Sequence, residues 1–160
     1  MITALDLFKI AEQEGILVEW RDMHPTFLGI WTYASEIGQA YICLNISIQS
    51  SQKLTKCVLA HELGHHFTTA GQHVVVATAT QLYKVAKFER LANDWATDVL
   101  VPGDEFLKVV QKQYSFHEIA NYFDVVPELI VHRAKRIYEN GIWDPRIKAI
   151  YRNDVFRVMG

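Results

Sequence analysis

Apolar positions change period twice along the first half of the chain. Residues 3–14 place Ala4, Leu5, Phe8 and Ala11 at helical spacing, with Thr3 and Asp6 at capping-box distance and Gly15 as a stop. Residues 16–21, 27–34 and 39–45 are then rich in β-branched and aromatic side chains. Asp22-Met23-His24-Pro25 and Ser35-Glu36-Ile37-Gly38 separate them as turns, so a small, partly antiparallel sheet is predicted. Helical spacing returns from about 50 to 69, where Ala70-Gly71 ends it. Residues 71–82 fit a loop or an irregular strand.

A second long helix is predicted over about 83–101, stopped by Pro102-Gly103. Asp104 is placed to cap a short helix over about 105–113. Ser115 and Glu118 form a capping box for another over 116–123, and Pro127 suits the first turn of a last helix over 127–139. Gly141 breaks that helix, and 142–160 shows no clear periodicity. The pattern predicts an α+β core over 1–103, a helical hairpin over 104–139 packed on it, and a tail over 140–160.

The helix over 50–69 contains His61-Glu62-Leu63-Gly64-His65, which fits H-E-x-x-H. Residues four apart share a helix face, so both imidazoles can reach one metal ion. Glu62, one step round, is placed to move a proton to and from a water in the open position. Val58-Leu59-Ala60 before the motif and Leu63, Gly64 and Phe67 within and after it predict a buried helix. Two imidazoles and a carboxylate there need partners, because an unsatisfied buried polar group costs about 1–3 kcal/mol.

A catalytic zinc ion takes three protein ligands and leaves one position open. The metzincin continuation fails, since Thr68 stands at its glycine and Gly71 at its third histidine. Glu89, Ala92, Asn93, Ala96 and Leu100 share one face of the second long helix. The alanines allow close approach to the first helix, bringing Glu89 to the metal and Asn93 to a ligand imidazole. Asp94 and Asp98 point away and read as surface carboxylates. Cys57 and His73 remain alternative third ligands. His66 reads as a core or supporting residue, and His73, Tyr83 and His117 as open choices for an oxyanion donor.

Composition narrows the class. The chain has 160 residues, half of them hydrophobic and 21% charged, enough for a real core. A net charge of −2 gives no electrostatic case for nucleic acid or an anionic membrane. The N-terminus lacks a signal-peptide pattern, and no apolar run is long enough to span a bilayer, so a cytoplasmic protein is expected. Cys43 and Cys57 fit buried thiols of a reducing compartment.

HELGHH, then ER-x-AN-x-WA, then VLVP resembles the ImmA/IrrE family of metallopeptidases. The resemblance covers roughly residues 5–139, and its specific part is 59–102. Trp95 stands where that family often has Phe, and Val99-Leu100-Val101-Pro102 where it often has LLMP; both changes keep the apolar role. The resemblance implies a zincin-like fold, zinc held by His61, His65 and Glu89, and Glu62 as general base. It further implies a narrowly specific peptidase acting on a helix-turn-helix repressor of a mobile element or stress response.

Two other expectations concern partners. Strand 39–45 is taken as the sheet edge over the site, with Tyr41 and Asn45 contacting an extended substrate. Residues 115–139 have a helix-turn-helix rhythm, but Asp124 replaces the usual turn glycine and Glu128 opens the second helix, a poor choice beside phosphates. A hairpin packed on the core is favoured. The rival functional class is a non-cleaving regulatory protein that sequesters a repressor or contacts DNA through 115–139.

Overall fold

The computed structural model describes residues 1–69, 79–112 and 114–157, without the side chains of 79–84 and 153–157. Two compact units emerge, Ile2–Ala96 and Thr97–Gly160. The first contains α1 (Ala4–Gln13), β1 (Leu17–Arg21), β2 (Gly29–Ala34), β3 (Gln39–Asn45), a single 3-10 turn (Ile46–Ile48), α2 (Gln52–Thr69) and most of α3 (Ala79–Leu100). The second contains the end of α3, then α4 (Gly103–Val110), α5 (Phe116–Phe123), α6 (Pro127–Glu139) and α7 (Pro145–Arg157).

Local sequence explains most element boundaries. Thr3 Oγ1 accepts from the Asp6 N–H while the Asp6 carboxylate accepts from the Thr3 N–H, closing the capping box of α1. Gly15 follows at φ 68°, a conformation that a side chain disfavours. Ser51 Oγ accepts from the Leu54 N–H at the start of α2. Ser115 and Glu118 form the second capping box, at α5. Asp124 ends α5 at φ 52°, taking the left-handed turn for which glycine is the usual residue. Two boundaries differ from the sequence reading. Helix α3 begins at Ala79 rather than near 83. Helix α4 begins at Gly103 after Pro102 with no side-chain cap, which places Asp104 in the first turn, where its charge suits the helix's positive end. The stretch without periodicity holds α7.

The sheet runs in the order β1-β3-β2. β1 lies parallel to β3, with Leu17 opposite Tyr41, and β2 lies antiparallel to β3, with Trp31 opposite Ile42. Thus β3 is the central strand, not the edge that the sequence reading made it; its most apolar residues, Ile42 and Leu44, are fully buried as a central strand requires. Ala40, Ile42 and Leu44 face α2, which packs on β2 and β3 and against α1. Leu7, Ala11, Leu59 and Leu63 complete this core.

The second unit has its own core around Phe106, Phe123, Ile119, Ile130 and Ile147. Arg133 of α6 is buried there, and its Nη2 donates to the Thr97 carbonyl and to Asp98, both at 2.7 Å. The Thr97 carbonyl, in the last turn of α3, also accepts from the Val101 N–H at 2.9 Å, so the guanidinium uses the second lone pair of an already bonded carbonyl and ties α6 to that turn. No described helix is long and apolar enough to cross a membrane.

Helices α2 and α3 meet at Gly64 and Ala92. A Cβ at Gly64 would lie 2.4 Å from the Ala92 carbonyl oxygen and 2.8 Å from its Cα. Backbone cannot retreat as a flexible side chain can. Gly64→Ala should therefore cost about 1–3 kcal/mol through overpacking. For a chain of this size each kcal/mol lowers Tm by about 2–4 °C. Calorimetry reads this directly, and an unchanged Tm contradicts the contact.

Candidate metal centre

The contact at Gly64 decides which side chains meet. It brings α3 against α2 where His61 and His65 leave the helix, and Glu89 lies one turn before Ala92. Three pairs of atoms then converge. His61 Nε2 and His65 Nε2 are 3.2 Å apart. Glu89 Oε2 is 3.2 Å from His61 Nε2, and Glu89 Oε1 is 3.3 Å from His65 Nε2. Among the described residues, these three form the cluster of His, Cys, Asp and Glu able to share one ion. Cys57 does not belong to it, and His73 lies outside the described residues.

These separations test whether a metal fits. A tetrahedral zinc ion at about 2.0–2.1 Å from each ligand holds its ligand atoms about 3.3 Å apart. The two imidazole nitrogens match that figure, and each lies about as far from a different one of the two Glu89 oxygens. Two imidazole nitrogens at 3.2 Å, flanked by a carboxylate, also repel unless a cation or proton is shared between them. The donor set of two imidazoles and one carboxylate is a zinc set.

Neighbouring groups fix the imidazoles. His61 Nδ1 lies 3.0 Å from Asn93 Oδ1. An amide oxygen only accepts, so His61 Nδ1 carries a proton, and Nε2 is the nitrogen that faces the cluster, donating to Glu89 in the metal-free protein and free to become a ligand once a metal displaces that proton. Asn93 thus lies against the His61 ring. His66 leaves the cluster: its Nε2 is 3.8 Å from Glu14, and its ring meets Trp31 edge-on. Phe67 stacks on Trp95 at 4.9 Å.

Glu62 is buried at 6% exposure beside this cluster. Gly29 of β2 lies against it; a Cβ there would be 2.6 Å from Glu62 Oε1. The Trp31 backbone N–H donates to its carboxylate. Burial pushes the Glu62 pKa up, more than the His61 and His65 charges and the Trp31 N–H pull it down. Glu89 goes the other way, held far below the usual carboxylate range first by its hydrogen bond to His61 and then by that to His65. At His61 burial lowers the pKa, but the hydrogen bond to Glu89 and the charges of Glu62 and Glu89 outweigh it and raise the value.

The remaining sequence candidates separate. Tyr41 lies on the sheet face opposite Ala40, Ile42 and Leu44, away from α2, and β3 has no free edge to offer a peptide. Asn45 is 2% exposed and holds the preceding loop, its Nδ2 donating to the Met23 and Phe27 carbonyls at 3.0 and 2.8 Å. Neither is presented to a substrate along β3. His117 is on α5 in the second unit, and the Tyr83 side chain lies outside the described residues. Sequence reasoning missed Gly29 and Trp31. The one available signal was a glycine inside a strand pattern, which marks a close approach.

Fold and cluster together define an α+β, zincin-like domain. The model of the IrrE N-terminal-like domain, a peptidase family, matches residues 11–135, and the chain belongs to this family. Among solved structures, a Mycobacterium tuberculosis transcriptional regulator is similar, with a TM-score of 0.59 and 18% identity over 90% of this chain. At that identity the likeness is one of fold, and this chain spans 43% of that protein's length. No curated protein matches the chain in sequence.

A pH prediction follows from Glu62. With its folded pKa raised above the ordinary 4.5, the metal-free protein bears a cost of ionising Glu62 that is absent below about pH 4.5 and grows as pH rises through the folded value. Metal-free Glu62→Gln should therefore melt above wild type at pH 7, and the difference should vanish near pH 4. A variant that melts below wild type at pH 7 contradicts the buried-carboxylate assignment.

Proposed function

We propose that the protein is a zinc-dependent endopeptidase of the cytoplasm, cutting a protein substrate at an exposed site. The observation that carries this reading is the set of 3.2–3.3 Å separations among His61, His65 and Glu89, with buried Glu62 alongside. His61, His65 and Glu89 would hold the ion. The chemistry it supplies when bound is polarisation of a carbonyl and a lowered pKa for water. Glu62 takes the proton of the attacking water on its carboxylate and returns it to the departing amine. Its raised pKa suits it to both halves of that exchange. Asn93 keeps His61 in the tautomer whose Nε2 is a ligand.

Strand β2 takes the role that the sequence reading gave to β3. Among the described residues it is one of the two edge strands of the sheet, and Gly29 and Trp31 lie at Glu62. An extended peptide adding to β2 would pass the proton-transfer group. The substrate is a helix-turn-helix repressor of a mobile element or stress response. That choice rests on the family resemblance, and the name of the mycobacterial neighbour is consistent with a regulatory setting.

Metal analysis and cleavage of a cognate repressor test this together. Wild type should hold about one zinc per chain, Glu89→Ala should lose most of it, and Asn93→Ala should weaken affinity by about 10–100-fold. Glu62→Gln should keep the zinc and lose about 10²–10⁴-fold in cleavage rate. Full cleavage by Glu62→Gln removes the proposed mechanism. Zinc retained in Glu89→Ala removes the third ligand.

A further inference from the structure

The cleft at Glu62 has a wall that proton transfer does not require. Its volume is about 460 Å³, and beside the polar cluster it is lined by Phe27, Ile30, Trp31, Val85 and Phe88. Phe27 is 53% and Ile30 39% exposed. Folding gains little from large apolar side chains left in water. Here two of them flank Gly29, the residue whose missing side chain lets β2 reach Glu62.

Phe27 is also held rigidly. Its N–H donates to the His24 carbonyl at 2.9 Å, and its own carbonyl accepts from Asn45 Nδ2 at 2.8 Å. The Asn45 N–H donates to the Leu28 carbonyl at 2.9 Å. The backbone that carries this exposed ring is thus fixed by a buried amide, so part of the ordering cost of a receptor is met on folding. The charge in the cleft is one-sided. Glu62 and Glu89 are its carboxylates, and among the described residues no lysine or arginine lines it. Away from the ion that Glu89 would help to hold, an acidic side chain would meet the Glu62 carboxylate with no described lysine or arginine to offset it. A lysine would shed its water shell among five apolar side chains. A large aliphatic or aromatic side chain meets neither cost.

We propose that this cleft receives one large apolar side chain, of the leucine, methionine or phenylalanine class, next to the cleaved bond, and that Phe27 sets the preference. The proposal rests on the peptidase reading above, and its test separates the two. Blocked nonapeptides of Ser, Thr and Gln with one central Leu, Phe, Lys, Asp or Gly are titrated into zinc-loaded Glu62→Gln protein, with Kd read by calorimetry. Wild-type cleavage of the same five is followed in parallel. The Leu and Phe peptides should bind at least about 10-fold more tightly than the Gly and Asp peptides. Adding Phe27→Ala should remove most of that difference without lowering Tm, because the ring is half exposed. Equal Kd values for all five peptides, binding of none, or an unchanged ranking with Phe27→Ala each overturn the proposal. Selective binding with no cleavage keeps the receptor and sinks the peptidase reading. Cleavage of all five at equal kcat/KM keeps the peptidase and sinks the receptor.

Discussion

Backbone-to-backbone contact between α2 and α3 at Gly64 and Ala92 sets the distance on which the site depends. A carboxylate side chain on α3 reaches the imidazoles of α2 only if the two helix axes come unusually close. Glycine on one helix and alanine on the other remove the side chains that would hold them apart. From that contact the rest follows by helical spacing. Glu89 comes to His61 and His65, and Asn93, one turn beyond Glu89, comes to the other nitrogen of His61. A second close approach, Gly29 against Glu62, brings the sheet edge to the same place. Two glycines, neither with a chemical function, assemble the centre.

The electrostatics are divided between two carboxylates with opposite surroundings. Glu89 is half exposed, flanked by two imidazoles and held ionised. Glu62 is buried, with one N–H donor, and its pKa is pushed up. One environment suits a ligand, which must stay charged. The other suits a group that gains and loses a proton. They lie within one cleft, which is why the identity of each neighbour matters more than the count of acids.

Much of this was legible in the sequence because it is local. The capping boxes at Thr3 and Ser115, the 3.6-residue face of Glu89, Ala92, Asn93 and Ala96, and the i,i+4 histidines are short-range patterns, and their elements form as read. What was not legible is long-range. Strand order is set by pairing between residues far apart in sequence, so β3 reads as an edge from the sequence and is the centre in the fold. Asn45 was drawn toward a substrate because it is polar at a strand end; it instead ties the loop that carries Phe27. Arg133, a basic residue of the second helix in the helix-turn-helix-like stretch, is buried and bonds the Thr97 carbonyl. Asp98, read as a surface carboxylate, is exposed and still accepts from that guanidinium. Helix α7 has no apolar period to announce it.

Two imidazoles and one carboxylate, with no thiolate, are proposed to make the metal centre between α2 and α3. X-ray absorption at the zinc edge of the zinc-loaded protein tests it most directly. Nitrogen and oxygen at about 2.0–2.1 Å, with imidazole multiple scattering from two histidines, is the predicted result. A sulfur shell at about 2.3 Å would place Cys57 or Cys43 on the metal and contradict the geometry.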